Sequence, residues 1–121
     1  MGPRIKILVS FESEYRSYQE VIAATISILR PHAEVATSDL DALGDELERF
    51  KPHLVISSRP KPARFCVKSA WIEFPLGVGG SAKFHMGEYY SVQHNPTLET
   101  MLKTIDEFER LASMGEGCSR C

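Results

Sequence analysis

The chain has 121 residues, 43% of them hydrophobic and 25% charged, which suits one folded domain with its own core and is too short for two. A formal net charge of −2 excludes a broad basic surface of the kind that holds nucleic acid or an anionic membrane. No apolar run approaches the ~20 residues of a membrane span. Met1 to Ser10 lacks the apolar region and cleavage site of a signal peptide, and three cysteines are too few for a disulfide framework, so a cytoplasmic protein is expected.

Arg4 to Ser10 (RIKILVS) is an apolar, β-branched run of the type found in strands covered on both faces. A helical pattern follows from Glu14 to Arg30. Tyr15, Tyr18, Val21, Ile22, Ile26 and Leu29 recur at spacings of three and four, which predicts that they share one face. Ser10 or Ser13 is placed to cap this helix, and Pro31 stops it. His32 to Ala36 reads as a second strand. Ser38 is then a predicted N-cap, with Asp41 completing a short capping box, and Leu40, Leu43, Leu47 and Phe50 mark the apolar face of a second helix that ends at Pro52. His53 to Ser57 (HLVIS) is the third strand. Strand, helix, strand, helix, strand is the signature of two βαβ units with right-handed crossovers.

The second half is less regular. Arg59 to Pro62 reads as a loop, Phe65 to Val67 and Ala70 to Phe74 as extended, and Pro75 to Ser81 (PLGVGGS) as another loop. Lys83 to Met86 and Tyr89 to Gln93 are strand-like around Gly87. Parallel neighbours need a crossover of about a dozen residues or more, and no amphipathic helix is available here, which leaves room for a hairpin. Asn95 or Thr97 caps a last helix, whose stripe is Leu98, Met101, Leu102, Ile105, Phe108 and Leu111. The expected fold is therefore α/β: a three-layer sandwich around a mostly parallel sheet of about five strands, order 2-1-3-4-5, with an irregular second half. It forms a single domain over residues 1–113, with a flexible tail at 114–121.

In open parallel sheets, ligands bind beyond the carboxyl ends of the strands, where the strand order reverses. If the first strand lies beside the third, that crevice is lined by Ser10-Phe11-Glu12-Ser13 and Ser57-Ser58-Arg59, with His94-Asn95 approaching the same edge. The candidate ligand-binding residues are Ser10, Glu12, Ser13, Ser58, Arg59 and Asn95. The amino end of the first helix and Arg59 suit a small anion such as phosphate, while Glu12 and Glu14 oppose it. No Gly-rich phosphate loop follows the first strand, and no cofactor is expected. The plainer reading is that Ser10 and Ser13 cap a helix and Ser57 and Ser58 close a strand.

Three stretches resemble the receiver domain of bacterial response regulators. Ile7-Leu8-Val9-Ser10-Phe11-Glu12 is similar to its first strand and acidic turn. His53 to Pro62 is similar to the third strand, the phosphoacceptor and a proline four residues later. Gly87 to Val92, followed by Asn95-Pro96 and a helix, is similar to the last strand and the step after it. Ser58 stands at the phosphoacceptor aspartate, Asn95 at the lysine, and Pro75 near the Ser or Thr of the fourth strand. Glu12 alone remains of the acidic cluster that would hold magnesium, and a hard cation wants several carboxylate oxygens. The resemblance thus implies a degenerate, receiver-like (flavodoxin-like) domain without aspartyl phosphorylation.

Other constellations are less specific. Cys118 and Cys121 form a C-x-x-C pair that can bind zinc or act as a redox couple, yet no second pair completes a zinc site, and no metal is expected. Cys66 reads as a core thiol. Gly77 to Ser81 reads as a mobile loop or turn rather than a phosphate nest. His32 and His53 start strands, at the end opposite the crevice, whereas His85 and His94 can meet Glu73 or Glu88. Trp71, Phe74, Phe84, Tyr89 and Tyr90 concentrate aromatic area in the second half. The preferred expectation is a non-catalytic signalling or protein-interaction module, self-associating as a homodimer through its last strand and helix or binding a protein partner. The alternative is a small enzyme or anion-binding protein using the crevice.

Overall fold

The computed structural model describes residues 5–60, 70–74, 80–86, 89–94 and 97–114. Strand β1 (Lys6–Ser10) leads through a 3₁₀ turn, Ser13–Tyr15, into α1 (Arg16–Leu29). Next come β2 (Glu34–Thr37), a second 3₁₀ turn at Leu40–Ala42, α2 (Leu43–Phe50) and β3 (Leu54–Ser57). The second half contributes β4 (Ala70–Glu73), β5 (Ser81–Met86), β6 (Tyr89–His94) and α3 (Leu98–Met114). α3 thus runs through Met114, the residue at which the tail was expected to begin.

The fold is mixed α/β, with one six-stranded sheet in the order β2-β1-β3-β4-β5-β6. β2, β1, β3 and β4 are mutually parallel, while β5 is antiparallel to both β4 and β6. The expected five-strand order 2-1-3-4-5 is corrected in its last part. An antiparallel strand takes the fifth place, and the strand matched to the last receiver strand moves one place outward. The physical reason is connection length, because two short links join β4, β5 and β6 and no crossover helix fits in either.

Alternation along each central strand builds two cores. Ile7, Val9, Leu54, Ile56, Ala70, Ile72, Ala82 and Phe84 face Ile22, Ala23 and Ile26 of α1 and Met101, Ile105 and Phe108 of α3. Leu8, Val55 and Trp71 point the other way, onto Leu43, with Leu40, Leu47 and Phe50 packed around them. Both sides of β1 and β3 are therefore dry, which is why they read as unbroken apolar runs.

Three local expectations are corrected. The buried face of α1 is Gln19, Ile22, Ala23 and Ile26; Tyr18, Val21 and Leu29, predicted to lie on it, are exposed. The α1 sequence is apolar nearly all round, so spacing alone does not choose a face. Neither Ser10 nor Ser13 caps the helix, whose start receives no side-chain cap. Ser38 does not cap the turn before α2; its hydroxyl donates instead to Ser10 Oγ (3.3 Å) and to the Asp39 carbonyl (3.3 Å). For α3, Thr97 is the cap, its Oγ1 accepting the Thr100 N–H at 3.1 Å. Among the described residues, no helix is long and apolar enough to cross a membrane. Cys66, Phe65 to Val67, Gly77 to Gly79, Glu88, Asn95, Cys118 and Cys121 lie outside the described residues.

Candidate functional site

β1 has β2 on one side and β3 on the other, so the chain reverses its direction of travel across the sheet between β1 and β3. Ser10 and Ser57, the last residues of these strands, are register partners, and both are fully buried. Ser10 Oγ accepts from Ser38, and Ser57 Oγ accepts the Arg59 N–H at 3.0 Å. Of the five candidate residues that are described, Ser10 thus serves the wall of the crevice rather than its opening.

Ser58 joins the two lining loops. Its Oγ accepts the Glu12 N–H at 3.2 Å, across 46 residues of sequence. The neighbouring amide, Phe11 N–H, donates to Gln19 Oε1 at 2.7 Å inside the core. Gln19 is 4% exposed and is the one polar residue on the buried face of α1. It holds the β1–α1 loop from below, while Ser58 holds it from the side. Phe11, Tyr18 and Phe74 form an aromatic trio over this end of the sheet, with centroids 5.8 to 6.2 Å apart.

Glu12, Ser13 and Arg59 are exposed around this framework. The backbone of Arg59 is anchored, since its carbonyl accepts Trp71 Nε1–H at 2.8 Å. Its guanidinium makes no ion pair among the described residues. On the β2 side, Arg16 bonds Asp39 at 2.8 Å, an exposed pair that links the loops after β1 and β2. His94, the last residue of β6, is separated from β3 by β4 and β5. Three strand spacings come to roughly 14 Å, so the end of β6 does not reach the crevice as expected.

The histidines lie elsewhere. His32 Nε2 is 2.9 Å from Glu109, and His94 Nδ1 is 2.7 Å from Ser81 Oγ. The His85 ring lies 4.8 Å from that of Tyr90. His53 Nδ1 accepts the Lys6 N–H at 2.9 Å, and the Lys6 carbonyl accepts His53 N–H at 2.9 Å, so the ring and backbone together extend the β1–β3 ladder. Although His53 as a residue is exposed, partial desolvation of its ring, and then the Lys6 ammonium, lower its pKa from the ordinary 6.5. Among the described residues, no three His, Cys, Asp or Glu side chains gather where they could hold a metal ion.

Comparison with protein-family models, curated proteins and solved structures finds no match to this chain. The site must therefore be read from its own chemistry. Hydroxyls dominate it, with one carboxylate and one guanidinium at the rim, and the described residues bring no imidazole to it. Such a set can hydrogen-bond a ligand or another protein.

Sequence reasoning missed Gln19 and gave Ser38 a different role, that of a helix cap. The signal for Gln19 was a polar residue at the i, i+3, i+4, i+7 spacing that it shares with Ile22, Ala23 and Ile26, which marks a buried side chain in need of a donor. Ser38 gave no local signal, because its partner Ser10 lies in a neighbouring strand.

Proposed function

We propose that this chain is a non-catalytic protein-interaction module on a receiver-like, flavodoxin-like three-layer scaffold, working in the cytoplasm. The observation that carries the reading is the state of Ser58. At the end of β3, where the resemblance puts a phosphoacceptor, its hydroxyl accepts the Glu12 N–H and ties two loops together. A side chain used as a loop clasp, beside a single carboxylate, suits a scaffold that presents surface rather than one that turns over phosphate.

The test restores the missing acid. The Ser58→Asp variant, incubated with acetyl phosphate and magnesium, is expected to gain no phosphate by intact mass. Stoichiometric phosphorylation would show that the remaining chemistry is in place and would overturn the reading.

A second reading, a small-anion binder at the same crevice, is favoured by one observation. The start of the first helix has no side-chain cap, and the exposed Arg59 stands at the rim of the same crevice. A thermal-shift panel of nucleotides, sugar phosphates and inorganic phosphate separates the two readings. A flat panel favours the interaction module. A shift that vanishes in Arg59→Ala favours the anion binder.

A further inference from the structure

We propose that β6 is a self-association edge, through which two copies of this chain join antiparallel about a two-fold axis into one continuous sheet. The proposal names a partner for the interaction module and rests on that reading. Among the described residues, β6 is the last strand of the sheet and is paired on one side only, with β5. Alternate residues of such a strand turn N–H and C=O outward, and the group chemistry that satisfies this row is another extended strand. At six residues β6 offers roughly 20 Å of ladder.

The two edges of the sheet differ. β2 is four residues long, carries the charged, exposed Glu34, and tucks Val35 and Ala36 partly against the two cores. Short length and charge are the usual means of blunting an edge. β6 (YYSVQH) has neither Pro nor any Asp, Glu, Lys or Arg, and residues 90–94 are all exposed. Tyr90 is 56% exposed and Val92 44%, both on the face that also carries His85 and Lys83. The helix-covered core on that side reaches Trp71 of β4 and, among the described residues, takes in none of β5 or β6.

Charge selects a second copy as the occupant. An uncharged strand gives a charged partner strand nothing to pair with, whereas against itself it opposes no like charges. A two-fold axis normal to the sheet keeps each face on its own side. Same-face pairing then allows Tyr90 opposite Val92 of the second copy, or Val92 opposite Val92 with Tyr90 opposite His94. Either register sets exposed apolar or aromatic area against its like, in the cross-strand pairs that stabilise sheets.

Sedimentation equilibrium of the full chain, from micromolar to millimolar concentration, is the test, with Val92→Lys and Ile28→Lys as variants. Ile28 is 74% exposed on α1, so both substitutions are on the surface and leave the core alone. The native chain and Ile28→Lys are expected to dimerise. Val92→Lys, which sets two ammonium groups near the axis in either register, directly opposite each other or on the diagonal, should weaken the dimer by roughly tenfold or more while keeping the native circular dichroism. A native monomer at every concentration overturns the β6 pairing, as does a dimer abolished by Ile28→Lys but not by Val92→Lys. Neither result touches the interaction-module reading, which fails separately if Ser58→Asp accepts phosphate.

Discussion

Replacing Gln19 by Leu tests the framework under the candidate site. The substitution roughly conserves volume and removes the acceptor for Phe11 N–H, a bond of 2.7 Å between residues that are both buried. Water does not reach the orphaned donor, so the cost is that of a buried unpaired amide, about 1–3 kcal/mol. Burying Leu in place of a primary amide returns part of this, and a net loss of about 2 kcal/mol is expected. For 121 residues the unfolding entropy near the midpoint is roughly 0.25 kcal/mol/K, so Tm should fall by about 8 °C. Trp71, the single tryptophan and fully buried, reports urea unfolding by its fluorescence. A loss below about 0.5 kcal/mol with unchanged denaturant sensitivity would refute the reasoning, because it would mean that Phe11 N–H finds water or another acceptor.

His53 makes stability depend on pH. Its folded pKa is lowered, so as pH falls below the ordinary 6.5 the unfolded chain takes up a proton that the folded imidazole resists. Its contribution is present above that value and is lost as pH drops towards the folded pKa. Urea titrations at about pH 7.5 and about pH 5.5 should show a smaller difference for His53→Gln than for the native chain, and equal differences would refute the assignment. Lys51 closes α2 in the left-handed region at φ 51°, ψ 61°, where a Cβ is strained. Lys51→Gly should raise stability by about 0.5 kcal/mol, once the extra freedom of glycine in the unfolded chain is subtracted from the relieved strain. A destabilised variant would assign a packing role to the Lys51 side chain.

The parts of this molecule that local rules describe were legible in the sequence. The β-branched runs at Ile7-Leu8-Val9 and Leu54-Val55-Ile56 are the buried parallel strands, and the Leu98, Met101, Leu102, Ile105 and Phe108 stripe of α3 packs where its period says it should. The two loops that line the crevice followed from the β1–β3 adjacency alone. What each loop residue does was not legible. Ser10 and Ser13 obey the composition rule for helix caps and cap nothing. Gln19 sits in a core and closes the amide account of a strand end eight residues away.

Strand periodicity, helix periodicity and proline positions act over a few residues, so the sequence by itself determined where the described helices and strands lie. The tertiary structure decided the rest. α1 presents an apolar surface nearly all round, and its neighbours chose the Ile22–Ile26 side while leaving Val21 and Ile28 in water. The same holds for the antiparallel place of β5, the clasp from Ser58 to Glu12, and the open edge at β6. Each depends on partners distant in the chain, whose contacts form only when the whole sheet closes and every buried amide must find an acceptor.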